Sequence, residues 1–396
     1  MNTGTIPKRL YFPNLNGLRA IGASIVLIDH VEFLKVFFNL PSYSWFPFSG
    51  KIGVTLFFAL SGFLITSLLF TERKATNTIQ LKKFYLRRVL RILPLYYFIV
   101  ILGIFVFSKF DGLTIPGYTD RMLRDLSWTN ALILLFLIPN VTSFYIPYAD
   151  QRWSIIVEEQ FYLVQPFLLK FIKNRRSLIL VFSFIVLSPE IVYLAASIIN
   201  PEYAAGSKFI TALTTQLKYL ACIAVGCFFS ILFFNRDPQI KEFLFKRSVQ
   251  WSVLFIIIGL IVTGHFIYDT ANLVDLRLFS VLFSIIVLNA TQNEKNIFRL
   301  EVPYLNFLGK ISYGIYMYHP VCIGIAIVIA KNITNNNAFL NFIIYPASIA
   351  LTFLIAWLSY NYFEKFFLNL KPHPQLNKKA KKKADELAEQ VPEPQQ

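Results

Sequence analysis

An arginine and a histidine stand eleven residues apart in the first apolar stretch of this chain. Arg19 and His30 both lie within residues 18–38. Eleven residues make close to three turns of α-helix, so the two side chains share a face, about 16 Å apart along the axis. If the stretch crosses a bilayer, His30 lies near its middle, where a titratable imidazole is costly to bury. The spacing indicates a functional histidine; the alternative is a histidine that only packs between helices.

Two further arginines occur near the start of the third apolar run. Arg88 and Arg91 are three residues apart and therefore share a helix face. Two guanidinium groups at a membrane rim suit a phosphorylated ligand, because each can form paired hydrogen bonds with phosphate oxygens. The alternative is topological anchoring, but Arg91 lies two turns into the helix, whereas anchors stop at the rim. The pair predicts a phosphate-binding site.

A glutamate in the fourth apolar run is expected to approach His30. Glu158 lies about 8 Å from the start of its helix, and His30 about 12 Å from the end of its own, at 1.5 Å per residue. The two side chains can therefore meet. A carboxylate beside an imidazole raises its basicity and fixes its tautomer. The alternative is that Glu158 and Glu159 form an acidic pair at the membrane interface.

Polar and small residues also interrupt two other runs. Ser312, Tyr316 and His319 follow the i, i+4, i+7 spacing of one helix face, so they can line a cavity inside a bundle. Ser61 and Gly62 fall near the middle of the second run. A glycine there predicts close approach of a neighbouring helix.

Composition sets the fold that must position these residues. Of 396 residues 56% are apolar, 41 are phenylalanine, and the mean hydropathy is +0.54. Such apolar content predicts an all-α, polytopic transmembrane bundle. The net charge of +16 would suggest nucleic acid in a soluble protein, but here the basic residues cluster at the ends of apolar runs, so no nucleic-acid partner is expected. The three cysteines have no metal or disulfide spacing, so no metal is expected.

Ten apolar runs are long enough to cross a bilayer. They cover residues 18–38, 52–70, 84–108, 153–172, 177–199, 211–234, 250–268, 274–291, 304–330 and 342–363. An eleventh run, Trp128–Pro139, is too short to cross comfortably. The first run lacks a small-residue cleavage site, so we expect it to be retained.

Charge decides whether the short run spans. If it does not, the basic segments at 73–83, 173–176, 236–247, 295–299 and 378–383 all fall on one side, as the positive-inside rule requires. If it does, every basic loop after it moves outside. We therefore predict ten spans plus a short re-entrant or interfacial segment, with both termini cytoplasmic. Residues 1–370 form the membrane domain, and residues 371–396 a disordered charged cytoplasmic tail.

Five stretches together resemble the acyltransferase-3 family of integral membrane acyltransferases. They are LNGLRAIGASIVLIDH, GVTLFFALSGFLIT, FYLRRVLRILPLYY, WSIIVEEQFYLVQP and LGKISYGIYMYHP. They follow the family's order and cover nearly all of residues 11–365. The resemblance implies transfer of an acyl group, usually acetyl, from cytoplasmic acyl-CoA to a hydroxyl of a sugar. That sugar is often part of a cell-envelope polysaccharide, and the bacterial inner membrane is the expected location.

The resemblance also implies roles for the matching residues. Arg19 and His30 form the family's first-span motif, Arg88 and Arg91 its phosphate-binding pair, and Glu158 belongs to its glutamate motif. Many relatives carry an extracytoplasmic esterase-like domain after the last span. This chain has a short charged tail there, so we expect no relay through a fused domain.

These roles combine into an expected mechanism. The co-substrate acyl-CoA docks on Arg88 and Arg91, helped by Arg19, while the sugar enters from the outer side. His30 acts as general base and Glu158 stabilises the imidazolium; an acyl-histidine intermediate is less favoured. The candidate oxyanion donors, chosen by depth alone, are Ser61, Tyr316 and His319.

Two other classes of function remain open at this point. Intramembrane His, Glu and Arg side chains also form proton relays, so the chain can be a proton-coupled carrier or an exporter of a glycan or lipid-linked sugar. A scaffold that keeps the fold without the activity is the weakest option, because the motifs are intact. Coenzyme A binding separates the enzyme from both.

Overall fold

The chain is helical throughout the part that the structure describes. The structure is a computed structural model, and it describes residues 12–42, 50–107, 109, 113–115, 146–234, 238–263, 274–334 and 336–372. Within these ranges there is no β-strand. The prediction of an all-α protein is therefore confirmed for these residues.

The helices follow the predicted apolar runs closely. In the first part of the chain they are α1 Leu15–Phe37, α2 Gly50–Thr76, α3 Leu81–Leu102, α4 Arg152–Phe171, α5 Arg175–Ile199, α6 Pro201–Gly206 and α7 Lys208–Phe234. In the second part they are α8 Pro238–Leu244, α9 Arg247–Thr263, α10 Val274–Gln292, α11 Pro303–Lys310, α12 Ser312–Ile333, α13 Asn337–Ser359 and α14 Lys365–Asn369. Single π-helical turns follow α3, at Gly103–Phe107, and α13, at Tyr360–Glu364.

Membrane insertion follows from the length and apolarity of these helices. Among the described residues, six continuous helical segments are long and apolar enough to cross a bilayer. They are Gly50–Thr76, Leu81–Phe107, Arg175–Ile199, Lys208–Phe234, Ser312–Ile333 and Phe339–Asn369. Helices α1 and α4 fall outside this group, and both carry charged residues of the candidate site. The protein is an integral membrane protein.

Helix α2 forms the centre of the bundle. It packs against α1, α4, α7 and α10. In its most apolar 18-residue stretch 83% of the residues are buried, against 22% in that of α5. Gly62 faces the backbone of Ile223 and Cys227 on α7, and Gly226 faces the backbone of Ala59 and Phe63 on α2. The predicted close approach at Gly62 is confirmed. No side chain fits at either glycine, so the two backbones set the helix spacing.

The ninth apolar run is not one helix, contrary to the prediction of a single span over 304–330. Helix α11 ends at Lys310 and α12 begins at Ser312, with Ile311 outside both. Gly309 lies directly against the backbone of Asn16 at the start of α1, and Ser312 Oγ donates to the Gly309 carbonyl at 2.9 Å. The break thus comes from packing against α1, which hydrophobic periodicity along one helix does not reveal.

Two predicted segments lie outside the described residues. They are the short run Trp128–Pro139 and the tail beyond residue 372. The re-entrant segment, the disordered tail and the cytoplasmic position of both termini therefore stay predictions.

Candidate functional site

The first of two neighbouring pockets collects most of the predicted site residues. It encloses about 750 Å³ of empty space, and side chains from α1, α2, α3, α4 and α12 line it. The predicted residues in its wall are Arg19, Ser61, Arg88, Arg91, Glu158 and Tyr316. We call this the arginine pocket. It joins residues that lie as far apart in sequence as α1 and α12.

Positive charge dominates the wall of the arginine pocket. Three arginines line it against one carboxylate, that of Glu158. Glu158 accepts hydrogen bonds from Ser61 Oγ at 3.1 Å and from the Tyr162 hydroxyl at 3.2 Å. The Arg88 guanidinium lies over the Tyr162 ring, 4.6 Å from its centroid. Such a wall favours an anionic ligand with several oxygens, because guanidinium groups bind phosphate oxygens in pairs.

The second pocket contains the predicted base. It encloses about 600 Å³ of empty space between the end of α1 and the start of α4. The described residues that line it are His30, Phe33, Leu34, Phe37, Ile115, Tyr148, Asp150, Gln151, Trp153 and Pro320. We call this the His30 pocket. It lies toward the other end of α1 from Arg19.

The backbone of α1 fixes the protonation pattern of the His30 ring. Nδ1 lies 2.8 Å from the Val26 carbonyl oxygen. A carbonyl can only accept, so Nδ1 carries the proton and Nε2 keeps its lone pair. The Asp29 carboxylate lies 4.0 Å from Nδ1, and the charge of Asp150 also acts on the ring. His30 is thus arranged as a proton acceptor with carboxylates nearby.

The predicted meeting of His30 and Glu158 does not occur in this structure. Glu158 lines the arginine pocket and bonds to Ser61 and Tyr162, whereas His30 lines the other pocket. Depth along each helix was compatible with contact, but depth does not define the direction in which a side chain points. Asp29, assigned no role from the sequence, is the carboxylate beside His30.

A thin wall of side chains separates the two pockets. The Tyr316 hydroxyl lies 2.6 Å from Ser154 Oγ and donates to the Gln151 carbonyl at 3.1 Å. His319 is fully buried behind Tyr316, with ring centroids 5.8 Å apart, and its ring meets that of His30 edge to face at 4.8 Å. The rings of Tyr316, His319 and His30 thus form a continuous contact from one pocket to the other.

The three predicted oxyanion donors differ in the hydrogen bonds that they can donate. His319 Nδ1 lies 3.3 Å from the Ile315 carbonyl, so Nδ1 holds the proton and the buried Nε2 can only accept. A neutral His319 therefore cannot donate to an oxyanion through Nε2. The hydroxyls of Tyr316 and Ser61 both line the arginine pocket and can donate.

Sequence reasoning missed residues at both pockets. At the His30 pocket these are Asp150 and Gln151, which immediately precede α4; the following Trp153-Ser154 was the only signal. Beside the arginine pocket, Glu364 is buried in the π-helical turn after α13, accepts from Ser359 Oγ at 3.3 Å, and interacts electrostatically with Arg91. In the sequence, the only indication of a role for Glu364 was its position as a single carboxylate directly after the last apolar run.

One more cation stands just beyond the last helix. The Lys371 ammonium interacts with the positive charges of Arg87, Arg88 and Arg91 and with the carboxylate of Glu364. Its pKa is lowered to about 8, chiefly by burial and then by the three arginines. Like charges held this close are disfavoured unless an anion joins them.

Several proteins similar to this chain are named as O-acetyltransferases. An O-acetyltransferase named for peptidoglycan, OatA of Listeria monocytogenes, is 28% identical over 387 residues, which is 92% of this chain and 57% of that protein. A putative O-acetyltransferase of Staphylococcus aureus strain COL is 27% identical over 91% of this chain and 58% of its own length. The O-acetyltransferase OatA of S. aureus strain NCTC 8325 is 26% identical, covering 89% and 57%.

The chain therefore spans a little under three fifths of the length of these relatives. No solved structure matches it. The family model described as an acyltransferase domain matches residues 12–361, nearly the whole of the described bundle. On that match, the chain belongs to the acyltransferase-3 family.

Proposed function

We propose that this protein is a membrane O-acyltransferase that moves an acyl group, acetyl in the first instance, from acyl-CoA to a hydroxyl of a cell-envelope sugar. Family membership supports acyl transfer, and the relatives' names support acetyl and, in one case, peptidoglycan. The observation that carries the proposal is the pairing of two adjoining pockets, one lined by three arginines and the other containing His30, whose Nδ1 is held by the Val26 carbonyl.

The donor occupies the arginine pocket in this proposal. Arg88 and Arg91 lie in the first three turns of α3, beside the basic segment 73–83, which the positive-inside rule assigns to the cytoplasm. Phosphates of coenzyme A bind to these two arginines and to Arg19, and Lys371 adds a fourth cation at the same end. Glu158 orients Arg19 and Arg88 rather than the base.

His30 supplies the acid–base chemistry. Its Nε2 accepts the proton of the acceptor hydroxyl while the oxygen attacks the thioester carbonyl. The new C–O bond forms a tetrahedral oxyanion, and the imidazolium is stabilised by the carboxylates of Asp29 and Asp150. When the C–S bond breaks, the imidazolium returns the proton to the leaving sulfur. The products are the acyl ester and free coenzyme A thiol.

The wall at Tyr316 lies on the route between the two pockets. The thioester must reach His30, so the flexible arm of the donor passes this residue, whose hydroxyl then donates to the oxyanion. Ser61 lies on the arginine-pocket side and is the second candidate donor. His319 packs against the base and acts as a positioning residue.

A turnover assay with a matched charge variant tests the proposal. Purified protein in lipid nanodiscs is given acetyl-CoA and an oligosaccharide of β-1,4-linked N-acetylglucosamine; free thiol and acetylated sugar are measured together. Arg91→Gln should raise the KM for acetyl-CoA about tenfold or more, the loss of one charge-assisted contact. Arg176→Gln removes an exposed arginine at the start of α5 and should change nothing.

Thiol release that does not depend on the sugar would contradict the proposal. So would an Arg91→Gln variant with wild-type affinity for coenzyme A. A proton-coupled carrier would instead move sugar across vesicles without any acyl-CoA.

A further inference from the structure

The two pockets differ sharply in charge. Three arginines line the arginine pocket, whereas the lining of the His30 pocket, among the residues described, includes no lysine or arginine and one carboxylate, Asp150. Arg152 is adjacent, but its guanidinium is held at 3.0 Å by Asp150. The described lining therefore offers a phosphorylated ligand no cation to bind, while a neutral ligand rich in hydroxyl donors needs none.

A buried amide oxygen in the His30 pocket has no hydrogen-bond partner among the described residues. Gln151 is 4% exposed, and its Nε2 donates to the carbonyls of Met317 at 2.9 Å and Tyr148 at 3.2 Å. Both partners can only accept, so the nitrogen must face them and Oε1 is the remaining atom. Within the described structure, Oε1 is buried without a hydrogen bond. An unsatisfied buried acceptor is costly, and because Gln151 lines the His30 pocket, a ligand bound there can supply the missing donor.

Aromatic faces complete this pocket. Phe33, Tyr148 and Trp153 line it together with Gln151. Phe33 is 49% exposed and meets the His30 ring edge to face, with centroids 5.8 Å apart. Apolar walls with a few polar groups are typical of small-molecule sites. A sugar presents both a flat C–H face and hydroxyl donors.

We infer that the His30 pocket is the acceptor site, that it takes a neutral sugar, and that Gln151 Oε1 accepts a hydrogen bond from a hydroxyl or amide N–H of that sugar. The assignment rests on the proposed function and adds to it a substrate class and a binding residue. It also explains why the base is separated from the arginines: donor and acceptor bind in compartments of different charge and meet only at His30.

The test compares Gln151 with a second buried glutamine on the same segment. Gln165 on α4 is 1% exposed, and its amide nitrogen donates to Thr66 and Cys227. Its Oε1 has no partner in the described part of the chain, and the residue lines neither pocket. Gln151→Met should raise the KM for the N-acetylglucosamine oligosaccharide about tenfold and leave the KM for acetyl-CoA unchanged. Gln165→Met should leave both values unchanged.

A second variant keeps the test informative if Gln151→Met does not fold. Phe33→Ala removes a half-exposed ring and should raise the same sugar KM severalfold. Phe184→Ala on α5, 61% exposed, is its control. If the wild type turns over the oligosaccharide while Gln151→Met and Phe33→Ala keep its KM, the acceptor assignment is overturned and the transferase proposal stands. If the wild type shows no sugar-dependent turnover, both are overturned.

Discussion

The imidazole rings of His30 and His319 meet edge to face, with centroids 4.8 Å apart, although they lie on the first helix and on α12. Each ring directs Nδ1 at a carbonyl four residues earlier on its own helix, Val26 for one and Ile315 for the other. Both rings therefore carry the proton on Nδ1 in the neutral state. Of the two rings, His30 lines the His30 pocket and His319 lines neither described pocket, so in the proposed mechanism His30 reacts and His319 supports it.

A substitution that conserves ring shape should show whether His319 only packs against His30 or takes part in the reaction. His319→Phe keeps a ring against His30, so we expect kcat within about threefold of wild type, whereas His319→Ala leaves a cavity and should lower kcat about tenfold. The KM for acetyl-CoA should not change in either variant. A His319→Phe variant as inactive as His319→Ala would mean that a His319 nitrogen takes part in the reaction.

The crossing of α2 and α7 should not tolerate an added side chain. Gly226→Val places a side chain against the Ala59 and Phe63 backbone, so we expect it to destabilise the fold by about 1–3 kcal/mol, as overpacking does. A thermal unfolding scan in detergent measures the loss. Gly259→Ala on α9 has open space around the added carbon and should leave the midpoint unchanged or slightly raised.

Donor binding should weaken as the pH rises through about 8. Lys371 has a pKa lowered to about 8 by burial and by Arg91, Arg88 and Arg87, with Glu364 acting in the opposite direction. Below that pH its ammonium attracts the donor phosphates, and above it the attraction is lost; phosphate itself titrates near pH 6, outside the window. Coenzyme A affinity measured from pH 7 to 9 should fall severalfold. Lys371→Arg should flatten the profile, and an equally steep fall in that variant would exclude Lys371 as the cause.

The helices and the clustering of the arginines were predictable from sequence because both depend on local pattern. Apolar runs predicted the described helices to within a few residues, apart from the broken ninth run, although only six described segments are long and apolar enough to cross a bilayer. The three-residue spacing of Arg88 and Arg91 predicted a shared face that the structure brings into one pocket. Arg19 joins them because the packing of α1 against the bundle directs it to the same pocket.

The division of the site residues between two pockets was not predictable, because it depends on how each helix is rotated about its own axis. Glu158 and His30 have compatible depths but line different pockets. Gln151 and Asp150 lie just before a helix, where periodicity gives no information, and Glu364 points inward only through a π-helical turn. The break at Ile311 likewise depends on contact with Asn16, in a different helix.

The most direct test of the two-pocket account measures binding and turnover separately in His30→Ala. Coenzyme A affinity by calorimetry should match wild type, since His30 lies outside the arginine pocket, while sugar-dependent thiol release should fall by about a hundredfold or more, the usual contribution of a general base. Wild-type thiol release in His30→Ala would contradict the account.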